Sequence, residues 1–274
     1  MDCRDLNLPS DDWRVIGASV IGSSHEVSQT RCQDAWSLAY SLGPGGDTAI
    51  VAVADGAGSA THSHLGARTA TRCAVRLVGE HLAGGGVLGK ADLAAILGAV
   101  RDAVGEEARE RERPAGEFAS TLLVLVAAPW GTLAAHIGDG AIIVDDGTLR
   151  VLTWPEQGEY ANVTVFLTTA NAVENARIVE AGPISRFALL SDGLQNLALD
   201  YAAHTVFAPF FEPMLRPLGN PEADRVKLEA ALDTFLGSPT INRRTDDDKT
   251  LVLGVRTAPS PALEVAQTLA QKTP

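Results

Sequence analysis

An α+β fold is what this 274-residue sequence predicts: two antiparallel β-sheets packed as a sandwich, flanked by pairs of helices, in four layers. Three observations predict it. Helical periodicities come grouped rather than alternating one by one with strands, which argues against a doubly wound parallel sheet. The strand-like runs are short and separated by turns rich in Gly, Pro and Asp-Gly. The apolar share of 46% and the charged share of 20% suit a soluble domain able to cover both faces of two sheets. No Pro-, Gly- or Ser-rich linker and no internal repeat divides the chain. Residues 1–274 are therefore expected as a single domain, with a core over about 13–256 and a C-terminal tail over 257–274.

Taken in order, 13–21 alternates enough for a strand, and 36–40 and 48–54 give two more, joined by the turn Gly43-Pro-Gly-Gly46. Over 64–82 the period changes: Leu65, Ala67, Ala70, Cys73, Ala74, Leu77 and Val78 recur at helical spacing, and Gly84-Gly-Gly86 ends the helix. Asp92 is the candidate cap of a second helix running to about Arg113, where Pro114 stops it. Its end, 106–113, is a charge-laced solvent face. Four short strands are predicted at 118–127, 132–137, 141–144 and 149–152. Their turns are Pro129-Trp-Gly131, Gly138-Asp-Gly140 and Asp145-Asp-Gly147, since Asp-Gly between apolar runs signals a hairpin. Further strands are expected at 163–168 and 186–190, helices at 195–203 and 221–236, and a last strand at 250–255. From Pro259 onward the pattern suits a short helix or a frayed tail.

The chemistry concentrates at predicted strand ends. Val51-Ala-Val-Ala-Asp55-Gly56, His136-Ile-Gly-Asp139-Gly140 and Phe187-Ala-Leu-Leu-Ser-Asp192-Gly193 each finish an apolar run with an aspartate and a glycine. Thr245-Asp-Asp247-Asp248-Lys-Thr250 leads into the last strand, and Gln33-Asp34 precedes the second. Glycine lets the backbone turn there and lets a carbonyl approach a ligand. If these ends converge, the carboxylates cannot all stay ionised without cations between them. Oxygen-only donors of this kind suit Mg²⁺ or Mn²⁺, so the pattern points to a metal-dependent hydrolase. Any one aspartate alone reads more simply as a cap or turn residue, Gly-Asp-Gly above all, and Asp246 and Asp248 read as solvated neighbours. Gly84 to Ala91 nearly spells a phosphate loop but lacks the Ser or Thr after Lys90, and His25-Glu26 has no second His for a zinc-protease motif. His81, His136 and His204 read as packing or surface residues, and Phe207, Phe210 and Phe211 as core or a covered flap.

The formal net charge of −12 argues against a nucleic-acid partner, and bound metal would offset part of it. Cys3, Cys32 and Cys73 have no metal-ligand spacing and cannot all pair, which suits a reducing cytoplasm. The N-terminus has no apolar signal core, and no run reaches the roughly 20 apolar residues that span a bilayer. The expectation is a soluble, cytoplasmic protein of bacterial composition with no membrane partner.

In their order and spacing, Gln33-Asp34, Asp55-Gly56, Ser120-Thr121, Gly138-Asp139, Ser191-Asp192-Gly193 and Asp247-Asp248-Lys249-Thr250 resemble the metal-dependent serine/threonine protein phosphatases of the type 2C class, in their bacterial form. The resemblance covers about 16–255. It implies the same sandwich flanked by helix pairs, and two Mn²⁺ or Mg²⁺ ions with a weaker third site. It implies Asp55 as the bridging carboxylate, with the Gly56 carbonyl on one metal and Asp192 and Asp247 on the other. Asp34 would act through metal-bound water, with Gln33 near the second ion. Asp139 and Asp192 would form the third site, with Asn196 one helical turn on as a further oxygen ligand. Asp34, Asp55, Asp192 and Asp247 are thus the catalytic candidates. The reaction implied is hydrolysis of phosphoserine or phosphothreonine in proteins by a bimetal-activated water, on substrates of a Ser/Thr kinase.

The chain also departs from that pattern. The family's phosphate-gripping Arg corresponds to Gln29, which leaves His25 or Arg31 for the substrate phosphate. A His found in some members is Ala57 here, with His62 and His64 nearby, and Gln33 stands where Glu is common. These departures keep two rivals open, a non-catalytic pseudophosphatase that binds phosphoproteins and a hydrolase of small phosphorylated metabolites. The polar loop 154–162 lies near the family's substrate flap.

Overall fold

Short runs of Val, Ile, Leu and Ala become strands here because neighbours cover them on both sides. The structure, a computed structural model, describes residues 10–43, 45–155 and 164–257. In chain order the described residues form β1 (Trp13–Val20), α1 (Ser23–Ser28), β2 (Ala35–Ser41) and β3 (Thr48–Ala54). The helices α2 (Ser63–Ala83) and α3 (Lys90–Glu110) come next. After them run β4 (Leu122–Ala128), β5 (Gly131–Ile137), β6 (Ala141–Asp145), β7 (Leu149–Thr153), β8 (Arg177–Ala181) and β9 (Arg186–Leu190). A one-turn α4 (Gln195–Ala198) leads to a small hairpin, β10 (Leu199–Asp200) and β11 (Thr205–Val206). Then come α5 (Ala208–Leu218), α6 (Arg225–Leu236), α7 (Pro239–Asn242) and β12 (Lys249–Arg256).

Two five-stranded sheets result, ordered β1-β12-β9-β6-β7 and β2-β3-β4-β5-β8, and every pairing within them is antiparallel. Side-chain alternation sorts three cores. On β3, Ala49, Val51 and Val53 face the other sheet with Leu123, Leu125, Phe187 and Leu189, while Ile50 and Ala52 face α2 and α3. On the other side Ile143, Ala188 and Leu253 pack against Phe211, Leu215 and Leu236 of α5 and α6. Trp13 bridges into the inter-sheet core, its ring 5.3 Å from that of Phe187. Each fully buried side chain of this kind contributes about 1.5–3 kcal/mol. The predicted sandwich flanked by helix pairs is thus the observed one.

Several local expectations are corrected. No strand forms over 164–168 (Val163 lies outside the described residues); the missing strand is β8, an edge whose Arg177 and Glu180 hid its alternation. The helix expected over 195–203 stops after one turn and becomes the β10–β11 hairpin, with His204 at φ 52° in its turn. α5 was hidden by its prolines. Pro209, Pro213 and Pro217 are spaced by four, so the lost N–H donors fall on one stripe and the rest of the ladder survives. α6 starts later than Pro221, at the cap Asp224, whose Oδ1 accepts from the Val226 and Lys227 amides at 3.0 and 3.3 Å. Asp92 does not cap α3 directly; it sits inside the first turn and accepts from the Gly89 amide at 2.9 Å. The phosphate-loop look-alike is the α2–α3 connection, and the predicted C-terminal helix or tail beyond Thr257 lies outside the described residues.

One correction bears on function. Gly138-Asp-Gly140 is not a hairpin turn: it carries the chain from β5 in one sheet to β6 in the other. Asp139 therefore stands between the two sheets at the edge where strand ends gather. Registers show the gathering: Ala35 pairs Ala54 and Leu122 pairs Ile137 in one sheet, and Leu190 pairs both Ala141 and Leu251 in the other.

Candidate metal centre

Where these ends meet, a cavity of about 320 Å³ opens, lined by His25, Gln33, Asp55, Gly56, Asp139, Asp192 and Asp247 among others. One oxygen of each of Asp55, Asp139 and Asp192 lies within 4.8 Å of the others. Each is placed by main chain. Asp55 ends β3, and its amide donates to Thr121 Oγ1 (2.9 Å) while its carbonyl accepts from the Thr121 amide (2.8 Å). Asp192 follows β9 at the start of a 3₁₀ turn. Gly193 beside it must be glycine, because a Cβ there would collide with the Asp248 carbonyl. Gly138 has φ 103° and leaves no room for a Cβ against the Thr121 methyl, which fixes the turn that presents Asp139. His136 anchors the same turn from below. It is fully buried, with Nε2 on the Gly138 carbonyl and Nδ1 on Thr153 Oγ1, both 2.8 Å. Burial, with Arg177 nearby, pushes its pKa down to about 3, so it stays neutral.

Asp34 lies behind the trio, 8% exposed. Ser191 Oγ donates to its Oδ2 at 2.7 Å and itself accepts from the Thr250 amide at 2.9 Å. Burial, with Asp248 nearby, raises the Asp34 pKa to about 7 despite the Ser191 bond. Burial and the charges of Asp34 and Asp192 push Asp55 well above the carboxylate range. Burial and Asp139 raise Asp192 to about 6. Carboxylates crowded in this way hold protons unless cations replace them.

A cation fits the donors. Gln33 Oε1, Asp34 Oδ1, Asp139 Oδ1 and Asp192 Oδ1 are buried and have no hydrogen-bond partner. Buried acceptors are normally satisfied, and three of these oxygens, on Gln33, Asp139 and Asp192, belong to residues that line the cavity, which matches the all-oxygen demand of Mg²⁺ or Mn²⁺. Asp247 lines the same cavity but is exposed and outside the trio, and its Oδ1 accepts from the Asp248 amide at 2.8 Å.

Three sequence expectations are changed here. Asp248 is no solvated neighbour: it is 2% exposed and accepts from the Gly22 and Gln33 amides, both at 2.6 Å. These two bonds tie the loop before β2 to the start of β12, and His25 Nδ1 lies 3.0 Å from Asp248 Oδ1. Its position one residue from a solvent-facing aspartate concealed this. Asn196 does not face the carboxylates; it is exposed and lines a separate groove. Its neighbour Gln195 reaches the site instead, donating from Nε2 to the Asp139 carbonyl. Of the two phosphate candidates, His25 lines the cavity while Arg31 is exposed and outside its wall. His25 is the only basic side chain in that wall among the described residues. His62 and His64 are also outside it; the His62 ring packs 5.3 Å from Phe118. Of the loop 154–162 only Trp154 and Pro155 are described, and Trp154 stacks on His204 at 3.9 Å. The route to Ser191 and Thr121 was open in the sequence, since each sits beside a strand end, whereas Thr164 lies in no strand. Thr164 Oγ1 donates to Asp139 Oδ2 at 2.6 Å.

Compared with known proteins, residues 21–237 match the family described as Protein phosphatase 2C, a span that includes every candidate above except Asp247 and Asp248. Serine/threonine-protein phosphatase 3 of Escherichia coli (strain K12) is 36% identical over 249 residues, which cover 89% of this chain and 98% of that protein. Among solved structures, the catalytic domain of serine threonine protein phosphatase PstP in complex with 2 manganese ions superposes with a TM-score of 0.59 at 19% identity, covering 90% of this chain and 99% of that one. A C. elegans sex determining protein gives a TM-score of 0.66 at 14% identity, covering 92% of this chain and 67% of that one. At such identities the solved structures speak for the fold. No helix among the described residues is long and apolar enough to cross a membrane.

Proposed function

Because the chain belongs to the protein phosphatase 2C family, we infer that its cavity of strand-end aspartates is the catalytic centre of a metal-dependent serine/threonine protein phosphatase. The observation that carries the site is the meeting of Asp55, Asp139 and Asp192, with buried, unpartnered oxygens on Asp139, Asp192, Gln33 and Asp34. Mn²⁺ or Mg²⁺ is the family's cofactor, and the PstP structure holds two manganese ions. We assign Asp55, Asp192, Asp247 and the Gly56 carbonyl as ligands of two ions. Gln33 and Asp34 stand beside them, and Asp139 with Asp192 makes a weaker third site. The whole of 1–274 is assigned to one phosphatase domain.

When bound, such cations neutralise charge on a phosphate and acidify water. The chain's own groups do the rest. Asp34 is held by Ser191 with its second oxygen free, so it accepts a proton behind the cavity near neutral pH. His25 lines the cavity, its Nδ1 3.0 Å from Asp248 Oδ1, and has Nε2 left to donate to a substrate phosphate oxygen. This takes over part of the task that an Arg performs in other members. Arg31 is the weaker candidate. The substrates are phosphoproteins; we place the enzyme in the cytoplasm, opposite a Ser/Thr kinase. The test compares a phosphothreonine peptide with sugar phosphates in the presence of Mn²⁺. Preferred turnover of the peptide supports the assignment, and preferred turnover of sugar phosphates would replace it with a metabolite phosphatase.

A further inference from the structure

The groove between α5 and α6 is walled by apolar side chains such as Phe207, Phe210 and Met214. The surface at the start of α2 is charged instead, and its sign runs against the rest of the chain. The formal net charge is −12, yet here arginines gather beside the carboxylate cavity. His64, Arg68 and Arg72 follow one another by four residues on α2, which sets them on one flank of the helix. Arg68 and Arg72 are exposed and His64 is half-buried. The first turn of α2 lies directly behind the cavity wall. A Cβ built at Gly56 would stand 2.8 Å from both the Gln33 carbonyl oxygen and Ser63 Cβ, and Gln33 and Gly56 line the cavity. Arg31 stands just before Gln33 and is exposed. From the other side the segment after α3 closes on α2. The His62 amide donates to the Glu117 carbonyl at 2.8 Å, and a Cβ at Gly66 would collide with the Phe118 carbonyl. Burial, and then the charges of Arg31, His62, Arg68 and Arg111, lower the pKa of His64, so basic side chains from three segments converge on one ring.

Only part of this charge is neutralised. Glu107 takes Arg111 at 2.7 Å, and Glu117 stands 4.0 Å from His62. Arg31, Arg68 and Arg72 make no ion pair among the described residues. Arginines held without a carboxylate suit a second anion, which a guanidinium can take through two parallel hydrogen bonds. Along α2, Arg68 lies about 8 Å beyond Ser63, and an extended peptide advances about 3.3 Å per residue. A side chain two or three residues from the one in the cavity therefore reaches Arg68. Resting on the reading of the cavity as a phosphoprotein phosphatase centre, we propose that Arg68 and Arg31, around His64, form a second anion subsite. It takes a phosphate or carboxylate two or three residues from the phosphoresidue being cleaved. Acidic or multiply phosphorylated segments are thereby better substrates than isolated phosphoresidues, with no contact from Arg68 to the reacting phosphate.

Three peptides with a single phosphothreonine test this on the full chain with Mn²⁺. Two and three residues away on both sides, they carry Gln, Glu or a non-hydrolysable phosphonate analogue of phosphoserine. In the unaltered protein kcat/KM should be about fivefold higher for the Glu peptide than for the Gln peptide, the scale of one or two exposed charge pairs. The phosphonate peptide should exceed both. Salt near 1 M, where screening acts within about 3 Å, should remove most of the gain. Arg68→Ala brings the Glu-to-Gln ratio close to one, and Arg68→Glu inverts it. A structural disturbance would lower both values and leave their ratio alone. A ratio of one in the unaltered protein would overturn the subsite, and so would a ratio that both variants leave intact. A gain for the phosphonate without one for Glu would support the subsite for phosphate alone. Aryl phosphate turnover, run beside the peptides, separates the two readings. Its absence with either metal would remove the phosphatase assignment, and the same ratios are then read as peptide affinities by fluorescence anisotropy.

Discussion

The carboxylate cavity and the α5–α6 groove make opposite demands on burial. The groove is the larger, about 960 Å³ against about 320 Å³, and it is walled by aromatic and aliphatic side chains. Covering it would stabilise the fold. The cavity gathers Asp55, Asp139 and Asp192 and carries unpartnered buried oxygens on Gln33, Asp139 and Asp192, and burying it without a cation costs stability. Size and apolar character point to the groove; unsatisfied charge points to the chemistry. Function lies where local rules are broken and an absent ligand would mend them.

The largest expected effects separate the two regions. Asp55→Asn should lower turnover by more than about 100-fold, beyond what residues behind a metal ligand cost. It should also raise the melting temperature of the metal-free protein at neutral pH by a few degrees, since it removes a carboxyl that must take up a proton to be buried there. Steady-state kinetics beside a thermal melt in EDTA check both signs. In the core beneath the groove, Phe211→Ala should do the reverse, costing about 3–5 kcal/mol of stability with kcat per folded molecule nearly unchanged. Denaturant titration and active-site counting would show it. An Asp55→Asn protein that is destabilised in EDTA would break the distinction.

A pH series sharpens it. Asp34 and Asp192 titrate at about 7 and about 6 in the folded protein, against 3.8 as the ordinary value, and Asp55 is raised well above it too. A raised folded pKa gives stability that is present below the ordinary value and lost as pH rises through the folded one. The metal-free protein should therefore lose stability between about pH 4 and 7. Mn²⁺ binds the deprotonated groups, so the melting-temperature gap between Mn²⁺ and EDTA should widen over the same range. Melts at pH 5 and 7.5 check this; a constant gap would mean these carboxylates do not face the ion.

The smallest effects sort the phosphate contacts. His25→Ala should raise KM roughly tenfold, the worth of about one charge-assisted hydrogen bond, with kcat changed less. Arg31→Ala, exposed and outside the wall, should change KM less than about twofold. The two KM values on one phosphopeptide decide between the residues.

The sequence made the aspartates legible because each ends an uninterrupted apolar run, and a strand that stops leaves its next side chain at a sheet edge. Which edges meet was carried by the resemblance, since pairing between distant strands leaves no local trace. The crossing role of Gly138-Asp-Gly140 was hidden because its local chemistry is that of a hairpin. Asp248 was hidden because three consecutive aspartates look alike until their partners are known. α5 was illegible for the opposite reason: Pro213 and Pro217 each break a helix by local rule, although Pro209 suits its first turn, and packing of Phe211 and Leu215 against the sheet overrules them. β8 was missed because an edge strand is only half buried and carries charge.

The most direct measurement is hydrolysis of an aryl phosphate by the purified protein in EDTA, Mg²⁺ or Mn²⁺, beside Asp192→Asn. A two-metal phosphatase centre held by Asp55, Asp192 and Asp247 predicts turnover only with a divalent cation, abolished in the variant while its fold persists. Folded protein that turns over equally in EDTA, or an Asp192→Asn variant of full activity, would contradict it. No turnover with either metal would make the chain a phosphoprotein-binding pseudoenzyme.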